Sequence, residues 1–352
     1  MSITQLARTQ VQALTPYQSA RRIGGQGHIW LNANEAADSG EYSLDCARLN
    51  RYPECQPPQV INRYAAYAGV TAEQVLVSRG GDEGIELLIR TFCEPGRDQI
   101  LLCSPTYGMY AISAETNGVG IIDVPLREDR QPDFDGIIEQ LDQVKLVFLC
   151  SPNNPTGDLV DRAGLLRLLE AAKDRALVVV DEAYIEFCPE STQAGLLADY
   201  PQLVLIRTLS KAFGLAGLRC GFTLANPEVI GLLLKVIAPY PVPEPVAQIA
   251  AQALSEDGLA TMRERVAEIN ALKATLAEQL RQNPQVQHVF APNGNYLLVR
   301  FTPGSHVFAR MSKAGIILRD FASKPGLSDC IRITIGNSAE MDAVLQILQQ
   351  EQ

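Results

Sequence analysis

The segment Arg207-Thr-Leu-Ser-Lys-Ala-Phe213 combines residue types that can do covalent chemistry on a phosphorylated aldehyde. Lys211 follows two hydroxyl residues, Thr208 and Ser210, and Arg219 comes eight positions later in a glycine-flanked turn. A lysine kept neutral is a nucleophile toward an aldehyde, while hydroxyls and a guanidinium can bind a phosphate close by. Pyridoxal phosphate carries both groups: the lysine forms a Schiff base with its aldehyde, and its ring then stabilises carbanions. Taken alone, the segment could also be a loop that ends in a solvated lysine.

A carboxylate stands at the end of a predicted buried strand. Residues 176–180 are apolar on both faces, as in a central parallel strand, and they lead into Asp181-Glu-Ala-Tyr184. The carboxyl ends of such strands form the ligand-binding edge of open α/β sheets. There Asp181 could pair with the pyridinium nitrogen of the cofactor, and Tyr184 could bond its phenolic oxygen. The alternative for Asp181 is an N-cap for a helix that follows the strand.

Another predicted strand, residues 144–150, ends in the string Ser-Pro-Asn-Asn-Pro-Thr-Gly at residues 151–157. Pro-Thr-Gly is typical of a turn, so a simple strand-to-helix connection is one interpretation. Pro155, however, favours an extended backbone at Asn154 and so fixes the direction of its amide. We expect that amide to donate a hydrogen bond to the phenolate oxygen of the cofactor ring.

The ordered strings SPNNPTG, DEAY and TLSKAFGLAGLRCG resemble those of fold-type-I pyridoxal-phosphate aminotransferases of class II, over nearly the whole chain. Further matching strings are LNANE from residue 31, RYPEC from 51, SRGGDEGIE from 78, PTYGMY from 105, ILRD from 317 and RITIG from 332. The resemblance implies a homodimeric enzyme of histidine biosynthesis with pyridoxal phosphate as cofactor. Its reaction would move the amino group of L-histidinol phosphate to 2-oxoglutarate, giving imidazole-acetol phosphate and L-glutamate.

Other activities on the same scaffold stay open. A threonine-phosphate decarboxylase also handles a phosphorylated amine, and a broad aromatic aminotransferase would share the same motifs. A non-catalytic alternative is the ligand-sensing domain of a transcription regulator. We give it little weight, because the lysine motif is intact and the chain has no basic segment for DNA.

The resemblance also implies roles for single residues. The catalytic groups would be Lys211, Asp181 and Tyr184. The remaining cofactor contacts would be Tyr52, Gly81, Asp82, Tyr107, Asn154, Thr208, Ser210 and Arg219. The substrate contacts would be Tyr17, Asn34, Arg319 and Arg332, with the two arginines on the anionic end of the substrate.

Several of these residues also have plain structural interpretations. Gly80-Gly-Asp-Glu-Gly84 leads from a predicted strand into a helix, so its amides could bind the cofactor phosphate or simply form a capped turn. We expect Asp82 to serve mainly as the N-cap, since a carboxylate is an awkward neighbour for an anion. Tyr107, expected to stack on the cofactor ring, could instead be a core aromatic. Tyr52 is expected to reach the cofactor phosphate of the neighbouring subunit.

Length and pattern predict the organisation of the chain. At 352 residues it exceeds one comfortable core, so we expect an arm at 1–28, a large cofactor-binding domain at 29–240 and a small domain at 241–352. A proline-rich run at 239–245 marks the boundary. Alternating strand and helix patterns predict an α/β fold, with a mainly parallel sheet flanked by helices and a smaller α+β domain after it. The resemblance implies that this sheet is of the seven-stranded type.

The individual elements are predicted as follows. Strands are expected at 75–78, 99–103, 121–124, 144–150, 176–180, 203–207, 286–290, 296–301, 316–318 and 331–335. Helices are expected at 82–92, 107–116, 134–141, 162–173, 228–236, 245–254, 258–281, 307–314 and 339–349.

Bulk composition excludes several classes of protein. The net charge of −10 argues against nucleic acid as a partner and leaves small-molecule substrates. Eight cysteines without a C-x-x-C pair predict buried, reduced thiols, and three scattered histidines give no metal-binding pattern. We expect no membrane segment and no signal peptide, hence a cytoplasmic location.

Overall fold

The computed structural model describes residues 2–15 and 26–349 of the chain. Tyr17, expected to contact substrate, lies outside these residues. Helix α1 (Thr9–Ala13) is short, and strand β1 (Ile29–Trp30) follows it. Within the described residues, no helix has both the length and the apolar character needed to cross a membrane.

A seven-stranded sheet forms the centre of the larger part of the molecule. Its strands are β2 (Val75–Ser78), β3 (Gln99–Leu102), β4 (Gly120–Asp123), β5 (Leu146–Cys150), β6 (Leu177–Asp181), β7 (Leu203–Thr208) and β8 (Gly221–Ala225). Their order is β2-β8-β7-β6-β5-β3-β4. Strand β8 runs antiparallel to both of its neighbours, and the other neighbouring strands are parallel. The predicted mainly parallel sheet is therefore confirmed, while β8 was not predicted.

The central strands are buried on both faces, as their apolar sequences require. In β6, Val178 and Val180 pack into one hydrophobic cluster and Val179 packs into another on the opposite face. Side chains alternate between faces along a strand, so Asp181 shares the face of Val179 and Glu182 takes the other one. This alternation decides which groups meet each of the two carboxylates.

Helices cover both faces of the large sheet. Buried residues of α3 (Gly81–Phe92), α4 (Met109–Asn117) and α7 (Pro227–Leu233) join the cluster that contains Val179. Those of α2 (Pro58–Ala68), α5 (Phe134–Glu139), α6 (Arg162–Ala172) and α8 (Glu244–Ala253) join the opposite cluster. Helix α2 was not predicted. It begins at Pro58, and Gly69 caps its C-terminus in a left-handed conformation with a φ of 71°.

The C-terminal part is a smaller α+β unit. It contains α9 (Glu256–Gln282), β9 (Val286–Val289), β10 (Tyr296–Phe301), α10 (Gly304–Lys313), β11 (Ile316–Ile317), β12 (Arg319–Asp320), β13 (Cys330–Thr334) and α11 (Ser338–Gln349). Four of the strands form an antiparallel sheet in the order β12-β13-β10-β9. Strand β11 pairs instead with β1, in parallel.

The pairing of β1 with β11 joins residues 29–30 to the C-terminal part of the chain, although the sequence groups them with the large domain. The proposed limits 29–240 and 241–352 stay predictions. The eight cysteines are free thiols, and six of them are buried, as predicted.

Candidate active site

The residues expected to bind cofactor lie at one edge of the large sheet. Asp181 is the last residue of β6, Thr208 is the last residue of β7, and Asn154 follows β5 by four residues. The register pairs Asp181 with Cys150 on one side and with Ile206 on the other. Parallel strands end at the same edge, so these polar groups face one crevice.

Two positively polarised groups, the start of helix α3 and the Arg219 guanidinium, meet at one end of this edge. Helix α3 begins at Gly81, and the first amides of a helix have no partner within it. The Arg219 guanidinium lies 3.4 Å from Ser210 Oγ and 3.4 Å from the Asp82 carboxylate in the first turn of that helix. Gly80 has a φ of 79°, and a Cβ there would lie 2.6 Å from Arg219 Nη2. The positive φ favours glycine at this position, and a side chain there would also displace the Arg219 guanidinium.

The expectation that Asp82 is the N-cap of this helix is wrong. The cap position is Gly80, because the turn out of β2 needs a positive φ that glycine adopts without strain. Asp82 lies in the first helical turn, where it pairs with Arg219 and accepts a hydrogen bond of 2.9 Å from Tyr107 Oη. Its carboxylate thus lies against the groups that would bind an anion.

Two hydroxyls ahead of the lysine are tied together. Thr208 Oγ1 lies 2.9 Å from Ser210 Oγ and accepts a hydrogen bond of 3.1 Å from the Ser210 amide. Both residues are buried. The pair fixes the turn that presents Lys211 next in sequence.

Lys211 is half-buried and its amine donates a 3.0 Å hydrogen bond to the Ala33 carbonyl. Burial, with a further contribution from the positive charge of Arg332, lowers the pKa of this amine to about 8. About a tenth of the amine is thus neutral at pH 7, compared with less than about a thousandth for an ordinary lysine, and the neutral form is the one that a nucleophile or base requires. The amine also lies 5.7 Å from the centre of the Tyr184 ring.

Asp181 is buried, and each of its carboxylate oxygens accepts one hydrogen bond. Oδ2 accepts from Tyr110 Oη at 2.7 Å, and Oδ1 accepts from the Ala183 amide at 3.0 Å. Burial raises the pKa of Asp181 to about 6. The helical turn that follows has Tyr184 at its N-cap position, so the capping interpretation of Asp181 is wrong.

Tyr110 was not singled out by sequence reasoning. Tyr110 lies in the first turn of α4, three residues after Tyr107, which precedes the helix, and this spacing was the available signal. The two rings meet edge to face, with centroids 5.7 Å apart. Tyr107 itself is half-buried, as a ring-stacking residue beside an open crevice would be.

The Asn154 amide is oriented by a contact from the other part of the molecule. Its Oδ1 accepts a 2.6 Å hydrogen bond from Arg332 Nη1, so its Nδ2 faces away from Arg332. Arg332 also donates to the Asn32 carbonyl at 2.8 Å. One arginine therefore connects β13, the segment after β1 and the turn after β5.

Tyr184 and Asn34 form a buried pair. Asn34 Nδ2 donates to Tyr184 Oη at 3.0 Å, so the tyrosine hydroxyl keeps its own proton to donate elsewhere. Asn34 has a φ of 54°, and its side chain also accepts from Thr334 Oγ1. The structure places Asn34 behind Tyr184 with no exposed surface. Its contact with substrate stays a prediction.

Arg319 and Arg332 are brought together. Arg319 in β12 is the direct partner of Arg332 in β13 across the antiparallel ladder.

Tyr52 is not among the residues brought together at this edge. It is 78% exposed and stacks on Tyr240, with ring centroids 4.4 Å apart.

A cavity of about 400 Å³ lies beside these groups. It opens between residues 28–39, the loop 214–217 and the start of α11, and Glu35, Gly214 and Gly336 are among its lining residues. Its lining includes none of the predicted site residues. The crevice described above is therefore defined by side-chain contacts rather than by that cavity.

A mainly parallel seven-stranded sheet that presents a lysine of lowered pKa, a buried aspartate and an anion-binding helix end at one edge defines a fold-type-I pyridoxal-phosphate enzyme. The chain belongs to the family of class I and II aminotransferases, whose family model matches residues 24–348. It is similar to histidinol-phosphate aminotransferase of Aeromonas hydrophila, with 67% identity over 349 residues covering 99% of this chain and 98% of that protein. The protein of the same name from Escherichia coli is 59% identical over 352 residues, covering 100% and 99%.

Solved structures share the fold at lower identity. Histidinol-phosphate aminotransferase from Sinorhizobium meliloti, solved in complex with pyridoxal-5'-phosphate, superposes with a TM-score of 0.84 at 21% identity, covering 97% of each chain. The enzyme of that name from Clostridium acetobutylicum gives a TM-score of 0.82 at 24% identity, covering 92% of this chain and 98% of the other.

The site residues fit pyridoxal phosphate. Arg219, the Ser210 hydroxyl and the start of α3 form a donor set for a dianionic phosphate, and Gly80 keeps that set free of a side chain. Lys211 offers an amine of lowered pKa, and Asp181 offers a buried carboxylate at the same sheet edge. The donor set and the carboxylate match the two ends of this cofactor.

Proposed function

We propose that this protein is a pyridoxal-phosphate transaminase of histidine biosynthesis that converts L-histidinol phosphate and 2-oxoglutarate to imidazole-acetol phosphate and L-glutamate. The observation that carries the proposal is the 67% identity, over 99% of the chain, with a histidinol-phosphate aminotransferase. The fold alone does not select this reaction. An aspartate aminotransferase of Thermus thermophilus and a threonine-phosphate decarboxylase of Porphyromonas gingivalis also superpose, with TM-scores of 0.79 and 0.74.

Lys211 has the central chemical role in this proposal. Bound pyridoxal phosphate supplies an aldehyde for amine exchange and a ring that takes up the electron pair left on the substrate carbon. Lys211 holds the resting cofactor through its amine. When substrate displaces it, the free amine moves a proton between the substrate Cα and the cofactor C4′. Its lowered pKa of about 8 supports this role, since the amine can both lose and regain its proton near neutral pH.

The other cofactor residues fix the ring and its phosphate. Asp181 keeps the ring nitrogen protonated, and Tyr107 stacks on the ring face. Asn154 Nδ2 and Tyr184 Oη would donate to the phenolic oxygen of the ring, and the contacts of Asn154 with Arg332 and of Tyr184 with Asn34 support these orientations. The phosphate is held by donors from the residues Gly81, Asp82, Thr208, Ser210 and Arg219, where Asp82 contributes its backbone amide.

For the substrate, Arg319 and Arg332 bind the anionic end. The planar guanidinium matches phosphate and carboxylate equally well, so one pair of arginines can serve both half-reactions. Their opposed positions in β12 and β13 support a shared anion site. Tyr17 and Asn34 complete the proposed substrate contacts.

A homodimer completes the site in this proposal. Tyr52 would reach the cofactor phosphate of the second subunit. Its 78% exposure supports this, as does the neighbouring exposure of Leu44, Leu49 and Tyr240, because aromatic and apolar side chains are enriched at subunit interfaces. A cytoplasmic location is supported by the free thiols, which persist in reducing compartments.

A substrate panel tests the proposed function. The purified, cofactor-loaded protein is given 2-oxoglutarate with histidinol phosphate, threonine phosphate or an aromatic amino acid, and glutamate and carbon dioxide are measured. We expect glutamate with histidinol phosphate and none from the Lys211→Ala variant. Carbon dioxide from threonine phosphate would select the decarboxylase instead, and an equal response to aromatic amino acids would select the broad aminotransferase.

A further inference from the structure

Tyr110 occupies a position between two of the proposed cofactor residues. Its ring has no exposed surface and stacks on Phe148 of β5, with centroids 4.9 Å apart and planes inclined by 15°. Its hydroxyl donates to Asp181 Oδ2 at 2.7 Å. The edge of the ring meets the Tyr107 ring. A rigid aromatic clamped in this way holds its hydroxyl at a fixed point relative to the sheet.

The hydrogen bond from Tyr110 fixes the Asp181 side chain in two respects. Together with the bond from the Ala183 amide to Oδ1, it sets the plane of the carboxylate. A hydroxyl that donates to a carboxylate also favours the ionised form over the protonated one. It therefore opposes the effect of burial, which raises the pKa of Asp181 to about 6.

The other groups around Asp181 do not replace this donor. The nearby titratable side chains on the elements packed against it are Asp82 of α3, Cys150 of β5, and Glu182 and Tyr184 of the segment after β6. The two carboxylates among them raise the pKa of Asp181 through charge repulsion. Burial raises the pKa of the Cys150 and Tyr184 side chains, so neither supplies an anion or cation there at neutral pH.

We propose that Tyr110 is a positioning residue of the site, which holds the Asp181 carboxylate in its ionised form where the ring nitrogen of pyridoxal phosphate binds. Through its edge-to-face contact with Tyr107, the same ring also fixes the position of the Tyr107 ring, which is proposed to stack on the cofactor. The inference rests on the proposed function, since it requires that Asp181 meets the cofactor ring.

The test compares wild-type protein with Tyr110→Phe, which keeps the stacked ring and removes the hydroxyl. The dissociation constant of pyridoxal phosphate from the apoprotein is measured by equilibrium dialysis across pH. If the lost donor raises the pKa of Asp181 by about one unit, the variant should bind about tenfold more weakly near pH 5 and about equally near pH 8.5.

A purely structural role predicts a different pattern. In that case the loss of affinity would be the same at every pH, and this outcome would overturn the inference. Tyr64→Phe is the matched control, because Tyr64 is also buried and stacks on a phenylalanine, Phe222, with centroids 3.4 Å apart. The control should not change the pH dependence of cofactor binding.

A second substitution keeps the test valid if Tyr110→Phe is unstable. Replacement of Tyr110 by 3-fluorotyrosine preserves the ring and makes the hydroxyl a stronger donor. The pH dependence should then move in the opposite direction, to lower pH, and an unchanged profile would contradict the inference. Failure of the wild-type apoprotein to bind pyridoxal phosphate at any pH would instead reject the proposed function.

Discussion

Arg319 and Arg332 lie directly opposite each other on the antiparallel strands β12 and β13. Opposed residues of such a pair project from the same face of the sheet, where two like charges repel each other. An anion bound between the guanidinium groups removes that repulsion. In the proposed function, this pair of the antiparallel sheet binds the anionic end of the substrate, and Arg332 also contacts Asn154 in the turn after β5.

Removal of Arg332 should weaken both half-reactions. Loss of a bidentate contact with an anion costs ~2–4 kcal/mol, so Arg332→Ala should lower kcat/KM for histidinol phosphate and for glutamate by about 30- to 1000-fold. Arg332→Lys should recover only part of this, because an ammonium lacks the planar fork. Steady-state kinetics with both donors measure the effect.

The matched control for this prediction is Arg300→Ala. Arg300 lies in the neighbouring strand β10 and donates to the backbone carbonyls of Gly326 and Ser328. Its removal should leave kcat/KM near the wild-type value. A loss confined to histidinol phosphate in Arg332→Ala would contradict the shared anion site.

Lys211 should be the residue that borohydride attaches to pyridoxal phosphate, as found by peptide mapping. In the apoprotein, the rate of its reaction with the aldehyde should rise with pH up to about 8 and then level off, because the neutral amine is the main form above that pH. With an ordinary lysine the rate would continue to rise up to about pH 10.

Lys273 is the internal control for the labelling. Burial lowers its pKa to about 8 as well, but its amine is bonded to Asn270 Oδ1 and to the Gly294 carbonyl. Label on Lys273 would show that a low pKa rather than position decides the reaction. Label on any lysine other than Lys211 would remove Lys211 from its proposed role.

Gly221→Ala should disturb the turn at Gly80 and Gly81, which is proposed to bind the cofactor phosphate. A Cβ at residue 221 would lie 2.4 Å from the Gly80 carbonyl carbon and 2.5 Å from the Gly81 nitrogen, so backbone must move. We expect a loss of ~1–3 kcal/mol in the free energy of unfolding and weaker binding of pyridoxal phosphate. Denaturant titration and equilibrium dialysis measure the two effects.

Gly231→Ala provides the comparison in helix α7. No described atom lies within 4 Å of a Cβ there, and alanine is the better helix former by ~0.5–1 kcal/mol. This variant should be as stable as the wild type or more so, with unchanged cofactor binding. If Gly221→Ala and Gly231→Ala had the same free energy of unfolding and the same affinity for pyridoxal phosphate, the close approach of β8 to the turn would be contradicted.

The proposed dimer can be tested by complementation. Lys211→Ala and Tyr52→Ala subunits should each be impaired, the second by ~1.5–3 kcal/mol if it loses a charge-assisted hydrogen bond. Because a site would draw Lys211 from one subunit and Tyr52 from the other, mixed dimers would contain one intact site, and activity should return on subunit exchange. A light-scattering mass equal to one chain would reject the dimer.

Local sequence patterns predicted much of the sheet and the edge where the site lies. The sequences of β5, β6 and β7 are apolar on both faces, which is typical of parallel strands covered by helices on both sides. The polar residues at their carboxyl ends indicate where the crevice lies. Long-range pairing was not predictable in this way. Strand β8 lies antiparallel between β2 and β7, and nothing in its own sequence indicates these partners. Strand β1 has only two residues, which is too short for a periodic pattern.

The errors within the site have the same origin. Asp82 has the residue type of an N-cap, but the geometry of the turn needs a positive φ, and this requirement selects Gly80 for the cap. The role of Tyr110 depends on a hydrogen bond to a residue 71 positions away. The two arginines were proposed as substrate contacts from their motifs, and that role stays a prediction; their opposed positions are visible only in the fold.

The central claim is amino transfer from histidinol phosphate, and single-turnover absorbance measures it most directly. Histidinol phosphate without acceptor should abolish the visible absorbance of the cofactor-loaded protein, and 2-oxoglutarate should restore it with an equivalent amount of glutamate. Unphosphorylated histidinol should react at least about 30-fold more slowly, given ~2–4 kcal/mol from the arginine contacts. Equal rates for histidinol and its phosphate would contradict phosphate recognition, and no absorbance change with histidinol phosphate would contradict the proposed reaction itself.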